Sequence, residues 1–430
     1  MFNTQIKPYF YIALIIAIGL IADFFNIISI LSQKSTLSMF AILYTEYIYG
    51  YCKGCFERLV SSLNKDGTVT IDGKRHINFG SYNYLGFGGS KKSFETNIYM
   101  NDSYPISSCC SRYDLPEDSK HLKLLEETEN TFAEFIGKES CVIYPMGWAT
   151  NVTTIPLLTD NTLIFSDELN HASIAMGCKL SSNTKIIAFN NNDPVDLEKK
   201  IIENKDKYNF EKIMIIIEGL YSMEGTIVNL PEFVKIKKKY NAFIYLDEAH
   251  SIGALGEHGK GACEYFNIDP NDVDVLMGTF TKSFASVGGY VCGSKELIDM
   301  IKSNSSGVLY DTCIGYGSLM QIYNVLNNEN DMMEKVKLLK NNIAYIRNRL
   351  KKECRLQILG DDDSPVIPVL THNVIDMVKI SSDFLDIHNI ALVVASYPAT
   401  SMNGSRLRLC ISSSHTKEQL DFFCDCINKI

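Results

Sequence analysis

Hydrophobic positions along the chain fall into three regimes. The first is one apolar block, Tyr9 to Leu31, "YFYIALIIAIGLIADFFNIISIL", broken by a single charge, Asp23. The second runs from about Thr131 to Ile301, where short apolar runs alternate with amphipathic stretches. "TLIFSD" (Thr162 to Asp167), "KIMIIIEG" (Lys212 to Gly219), "AFIYLDEAH" (Ala242 to His250) and "VDVLMGTF" (Val273 to Phe280) read as strands. Their continuous apolar character is that of parallel strands covered on both faces. "PEFVKIKKKY" (Pro231 to Tyr240) reads as a helix with proline at its start. The last three runs start roughly 30 residues apart, the length of a β-α-β unit. The third regime is mixed. "MMEKVKLLKNNIAYIRNRLKKE" (Met332 to Glu353) predicts an amphipathic helix, and "SPVIPVL" (Ser364 to Leu370), "ALVVASYP" (Ala391 to Pro398) and "RLRLCIS" (Arg406 to Ser412) predict strands. The pattern therefore predicts an α/β protein: a large, mostly parallel sheet domain followed by a smaller C-terminal α+β domain.

The N-terminal block has three readings: a membrane anchor, spanning or lying in the interface; a cleaved signal peptide; or a buried helix. Its 23 residues span a bilayer if Asp23 sits near a headgroup layer or faces a partner helix. The thirteen cysteines and the absence of a polar gap after the block weigh against a signal peptide. Basic residues are sparser before it (Lys7) than after it (Lys34, Lys53, Arg58), which favours the bulk of the chain on the cytoplasmic side. A net charge of −9 over 430 residues argues against nucleic-acid binding, which needs a basic face. The cysteines are scattered, and "CKGC" (Cys52 to Cys55) has no second pair at zinc-finger spacing. They read as mostly free thiols in a reducing compartment, with no metal site.

In sheets of this kind ligands bind beyond the carboxyl ends of the strands. Polar residues collect there: Ser166, Asp167, Glu218, Asp247, Glu248, His250, and Thr279 to Ser283. Lys282 stands among small and hydroxylic residues in "GTFTKSFASVGGY". A lysine at such a place ordinarily decorates a surface loop. The alternative is an amine that joins a cofactor aldehyde, which needs a closed, partly desolvated site. Asp247 either caps the following segment or partners a cationic pyridinium, whose protonated ring is an electron sink. His171 and His250 are structural, or they stack on a cofactor ring and bond its phenolic oxygen. Gly147 and Trp148 open a predicted helix whose N–H groups can bind phosphate, with Ser222 and Thr279 adding hydroxyls. No G-x-x-x-x-G-K-[ST], no strand-linked G-x-G-x-x-G, no H-E-x-x-H and no G-x-S-x-G occurs.

"SDELNHASI", "EGLYSMEGTIVNLPE", "YLDEAHSIGALGEHGKG", "DPNDVDVLMGTFTKSF" and "YPATSMNGSRLRLCISSSHTKE" together resemble the α-oxoamine synthases, pyridoxal-phosphate enzymes of fold type I. Within them the motifs are most similar to the catalytic second subunits of eukaryotic serine palmitoyltransferases, as are "INFGSYNYLGF" and "DFF" in the apolar block. The resemblance runs from about residue 10 to the end. It implies the aspartate-aminotransferase-like fold and four parts: residues 1–50 as membrane-associated helix and linker, 51–110 reaching the active site, 111–305 binding the cofactor, and 306–430 as the small domain. It implies that Lys282 carries the cofactor, that Asp247 pairs with its ring nitrogen, that His171 stacks on the ring and that His250 lies near the phenolic oxygen. Ser222, Thr279, Gly147 and Trp148 fall at cofactor and phosphate contacts, Arg408 at the amino-acid carboxylate, and Tyr82 on the loop that reaches the substrate.

The implied reaction condenses L-serine with a long-chain acyl-CoA, with loss of carbon dioxide, to give a 3-ketosphinganine, the first step of sphingolipid biosynthesis. The implied setting is the endoplasmic reticulum membrane with the catalytic domain cytoplasmic. The chain would pair with a lysine-less first subunit or act as a homodimer. Two other readings stay open: an oxoamine synthase that uses glycine or alanine, and a silent membrane-anchored partner subunit. The sequence departs from the family at Ala285, where glycine is usual, and at Pro145 and Trp148. It also departs in the glycine-poor "ISSCCSRYDLPED" and in "YDTCIGYG", which lacks paired prolines.

Overall fold

The computed structural model describes residues 60–64, 66–89, 108–397, 399–401 and 403–429. The apolar block Tyr9 to Leu31, and Cys52 and Cys55, lie outside the described residues. Among the described residues no helix is long and apolar enough to cross a membrane, and each described cysteine is free.

Strands β1 (Val60–Leu63), β2 (Thr68–Ile71) and β3 (Lys74–Asn78) form an antiparallel ribbon. Helix α1 (Lys120–Ile136) then leads into the main sheet, ending on Gly137 in the left-handed region. That sheet has seven strands in the order β4 (Ser140–Tyr144), β12 (Gly289–Gly293), β11 (Val275–Thr279), β10 (Phe243–Asp247), β7 (Lys212–Glu218), β5 (Thr162–Asp167), β6 (Thr184–Phe189). Only β12 runs against its neighbours in this sheet. The apolar runs named above supply β5, β7, β10 and β11. The five residues of β12, "GYVCG", carry glycine at both ends and gave no strand signal.

Alternate strand residues divide between two cores. Tyr144, Ile164, Ile216, Tyr245 and Met277 face helices α2 (Gly147–Leu158) and α3 (Ala172–Leu180) on one side. Phe165, Ile217, Leu246 and Leu276 face α1, α4 (Pro194–Asn204) and α5 (Leu230–Tyr240) on the other. Each of these fully buried side chains contributes about 1.5–3 kcal/mol of transfer free energy. Because side chains alternate, Asp247 shares the face of Tyr245, the face that α2 and α3 cover.

Beyond the sheet, α6 (Lys295–Asn304), α7 (Tyr316–Leu326) and α8 (Glu329–Glu353) lead to a three-stranded sheet of β13 (Val366–Leu370), β16 (Arg406–Cys410) and β15 (Val393–Ala395). The run expected as one strand from Ala391 is two. Ile390–Ala391 (β14) pairs with β3, and after Leu392 the chain turns to pair with β16. Residues 77–84 are laced into this region. Phe79 N–H donates to the Ala391 carbonyl (2.9 Å), Cys410 N–H to the Phe79 carbonyl (2.8 Å) and Ser413 N–H to the Tyr84 carbonyl (2.8 Å). The early segment thereby enters the same neighbourhood as Arg408.

Gly177 lets α3 approach α2. A Cβ there would lie 2.7 Å from the Asn151 carbonyl oxygen and 3.0 Å from Ile155 Cβ. Gly177→Ala is therefore expected to destabilise by about 1–3 kcal/mol through overpacking. It also pushes away the helix that begins beside His171. Thermal unfolding of the variant checks this, and an unchanged midpoint would show that the helices separate freely.

Candidate active site

A cavity of about 240 Å³ opens at the carboxyl ends of β10 and β11. It is lined by Gly147, Trp148, Asn151, His171, Glu218, Asp247, His250, Thr279, Thr281 and Lys282, among others. Seven of these come from the sequence-derived set: Gly147, Trp148, His171, Asp247, His250, Thr279 and Lys282. Three expected residues do not line it. Arg408 and Tyr82 stand behind Lys282 and His250, and Ser222 sits half-buried in the turn between β8 (Leu220–Tyr221) and β9 (Thr226–Ile227). The next residue in that turn, Met223, holds the arginines: Arg406 Nη1 donates to its carbonyl (2.9 Å) and Arg408 Nη1 to its sulfur (3.4 Å).

Asp247 ends β10 and is 4% exposed. Its Oδ1 accepts from Ala249 N–H (2.9 Å) and its Oδ2 from Asn151 Nδ2 (2.9 Å). Among the described residues no cation pairs with it. Lys282 Nζ likewise makes no hydrogen bond or ion pair to a described residue, and lies 5.7 Å from the centre of the Tyr82 ring. Burial pushes the Lys282 amine down to about 8, although the Asp247 and Glu218 carboxylates pull the other way. A buried carboxylate without a cation and a buried amine without a partner are each costly, so the site is built for a ligand that meets both.

His171 is the N-cap of α3, where its Nδ1 accepts from Ser173 N–H (3.2 Å). The Glu218 carboxylate accepts the His171 backbone N–H. Desolvation lowers the His171 pKa against the pull of Asp247. His250 is fully enclosed, and its Nδ1 pairs with the Tyr84 hydroxyl (2.9 Å). Burial, and then the positive charges of Lys282 and Arg408, hold His250 neutral, with its pKa well below the usual value. Tyr82 meets the His250 ring edge-on at 4.9 Å and hydrogen-bonds Arg408 through its hydroxyl.

Helix α2 starts at Gly147 after Met146, which offers no side-chain cap, so its first N–H groups open on the cavity. A Cβ on Gly147 would stand 2.8 Å from Thr279 Oγ1, so only glycine fits there. Thr279 and Thr281 hydroxyls lie 2.9 Å apart on the same wall. Uncapped N–H groups with two hydroxyls suit a phosphate. Asp247 suits a protonated ring nitrogen, and Lys282 an aldehyde carbon. The residues present fit pyridoxal phosphate.

Asn151, Glu218, Ser173, Tyr84 and Thr281 were not singled out from the sequence. Asn151 lies four residues after Gly147, hence on the same helix face, and Tyr84 two after Tyr82; both spacings were available signals. Glu218 was grouped with the strand-end polar residues but given no role. Burial, then the nearby Asp247, raises its pKa well above the ordinary carboxylate value.

The turn after Lys282 explains one departure. Ala285 has φ +50°, in the left-handed region that favours glycine. Ala285→Gly is expected to raise stability by up to about 1 kcal/mol, read as an upward shift of the thermal midpoint; a lower midpoint would contradict the strain.

A lysine, a carboxylate and an imidazole beside an uncapped helix start at the strand ends suit a lysine-dependent cofactor enzyme of α/β architecture. Comparison with known proteins narrows this. Residues 76–427 match the family model "Aminotransferase class I and II". The chain is 41% identical to "Serine palmitoyltransferase 3" of Caenorhabditis elegans over 82% of its length and 70% of the relative's. It is 38% identical to "Long chain base biosynthesis protein 2a" of Arabidopsis thaliana over 97% and 91% of the two chains. Among solved structures, a Sphingomonas wittichii serine palmitoyltransferase shares the fold with a TM-score of 0.82, at 24% identity, covering 91% of this chain and 97% of that one. The chain belongs to the aminotransferase class I and II family and, within it, to the group of serine palmitoyltransferases and long chain base biosynthesis proteins 2.

An amine held near 8 leaves about a quarter of the Lys282 side chains neutral at pH 7.5, against about one in a thousand for an ordinary lysine. The rate at which cofactor-free protein captures pyridoxal phosphate is therefore expected to rise with pH around a midpoint near 8. A midpoint above 10, measured by stopped-flow absorbance, would mean the amine is not desolvated.

Proposed function

We propose that this chain is a catalytic serine palmitoyltransferase subunit. It joins L-serine to a long-chain acyl-CoA with release of CoA and carbon dioxide, giving a 3-ketosphinganine, the entry step of sphingolipid synthesis. The observation that carries the reading is the unpartnered Lys282 amine in one cavity with the buried Asp247 carboxylate. Membership of the family supports the choice of reaction.

Pyridoxal phosphate, when bound, supplies an electron sink for the pair left at the serine α-carbon. The chain's own groups do the rest. Asp247 keeps the ring nitrogen protonated, and the α2 N-terminus with Thr279 and Thr281 holds the phosphate. His171 covers one face of the ring, and His250, fixed by Tyr84, meets the phenolic oxygen. Arg408, buried with its Nε unpartnered among the described residues, is placed to take the serine carboxylate. Tyr82 steadies that guanidinium from its ring face at 4.9 Å. Lys282, the one flexible amine at the centre, moves the proton at the serine α-carbon.

The finer assignments extend the same reading. Residues 1–50 serve as membrane anchor and linker at the endoplasmic reticulum, with the rest cytoplasmic; the single charge in Tyr9 to Leu31 supports this. Residues 51–110 reach the site, a role supported by Tyr82 and Tyr84. Residues 111–305 and 306–430 form the large and small domains, around the seven- and three-stranded sheets. The partner is a lysine-less first subunit or a second copy.

Purified protein supplied with labelled L-serine and a series of acyl-CoA thioesters should yield a long-chain ketone, lost by more than a thousandfold in Lys282→Ala, as expected when the nucleophile itself is removed. Product with glycine or alanine in place of serine would move the chain to another oxoamine synthase. A cofactor band without product from any amino acid would favour a silent partner subunit.

A further inference from the structure

We infer that Asn151 is a positioning residue that ties Asp247 and His171 into one directed hydrogen-bond chain, leaving the His171 proton on Nε2, on the side away from Ser173. The inference rests on the pyridoxal-phosphate reading for its purpose, but not for its geometry. Tyr245 OH donates to Asn151 Oδ1 (2.7 Å). Asn151 Nδ2 donates to Asp247 Oδ2 (2.9 Å) and to Ser173 Oγ (3.0 Å). Ser173 Oγ lies 2.7 Å from His171 Nδ1. Asn151 is 1% exposed, Ser173 2% and Tyr245 0%.

Every direction in this chain is forced. An ionised carboxylate only accepts, so the amide nitrogen of Asn151, not its oxygen, must face Asp247. That turns Oδ1 to Tyr245, whose phenol keeps its proton because burial raises its pKa well above the ordinary value. The second amide hydrogen goes to Ser173 Oγ. The serine hydroxyl therefore has its own hydrogen left for His171 Nδ1. The Ser173 backbone N–H also points at Nδ1 and can only donate. Nδ1 is an acceptor twice over, so a neutral His171 carries its proton on Nε2.

The placement follows from the elements. Tyr245 and Asp247 are two apart on β10 and share a face. Asn151 is one helical turn after Gly147 on α2, and Ser173 is two residues into α3. A close α2–α3 approach, allowed by Gly177, brings the three together. One amide thus couples the group that protonates the cofactor ring to the group that stacks on it. The other groups that face His171 are Lys282, His250, the Glu218 carboxylate at its backbone N–H, and the Trp148 ring at 6.1 Å. None of them reaches Nδ1.

The test uses the full chain with ¹³C-labelled histidine, assigned through His171→Gln, and follows the His171 ring by NMR against pH without cofactor. Pyridoxal-phosphate affinity is measured separately by fluorescence titration. Losing the Ser173 hydroxyl that donates to Nδ1, or the Asn151 amide that holds that hydroxyl as a donor, favours the protonated ring. Ser173→Ala and Asn151→Ala should therefore each move the His171 midpoint up by about half a pH unit or more. Asn151→Ala should also weaken pyridoxal-phosphate binding by about tenfold, because Asp247 loses its holder. Ser173→Ala removes one oxygen, so it keeps the test available if Asn151→Ala does not fold. Midpoints unchanged in both variants, with only the thermal midpoint lowered, would overturn the chain and leave Asn151 a packing residue. If wild-type protein binds no pyridoxal phosphate, the cofactor reading fails, while the His171 midpoints still decide whether the hydrogen-bond chain exists.

Discussion

The buried carboxylate at the end of β10 is the constraint on which the rest of this structure depends. Asp247 is removed from water at the end of an apolar strand, with no ion-pair partner among the described residues. Such a group is tolerated only if hydrogen bonds hold it and a positive ligand completes it. The hydrogen bonds come from Ala249 and Asn151. Around it the chain places an amine, two imidazoles and a second carboxylate, and the proton affinity of each is shifted first by its own burial. Lys282 becomes a usable base because burial pushes its pKa down to about 8. Glu218 takes up a proton more readily because it is buried and, second, because the Asp247 carboxylate lies near.

Much of this was legible because it is local. Four strands of the main sheet follow from continuous apolar runs. The rule that ligands bind at strand ends then picks out Asp247, His250, Thr279 and Lys282. Gly147 is legible as the start of a helix. What was not legible is what distance in sequence hides. Asn151 meets Asp247 across 96 positions, and Tyr84 meets His250 across 166. Local spacing put Asn151 on the helix face of Gly147 and Tyr84 two residues from Tyr82, but it named no partner so far away for either. β12 was missed because its sequence is short and closed by glycines, and only the neighbouring strands make it a strand. The split of the Ala391 run into β14 and β15 was hidden for the same reason, because two sheets compete for one apolar stretch.

The site is assembled from parts that lie far apart in sequence. Tyr82 and Tyr84 come from the segment laced between β14 and β16, Arg408 from β16, and Lys282 and Asp247 from the main sheet. Three contacts join these parts: Tyr82 with Arg408, Tyr82 with the His250 ring edge, and Tyr84 with His250 Nδ1. The buried Tyr84 hydroxyl keeps its proton and has no other hydrogen-bond partner among the described residues, so it donates to His250 Nδ1, and the imidazole then presents its own N–H from Nε2. His250 and His171 are therefore set in the same tautomer by different means, a phenol in one case and a serine in the other. Two neutral imidazoles, each with its Nδ1 occupied inside the protein, leave only Nε2–H groups for a ligand. A site so arranged offers donors where an electron-rich ring system would lie, and its buried Asp247 carboxylate suits a ring nitrogen that carries a proton.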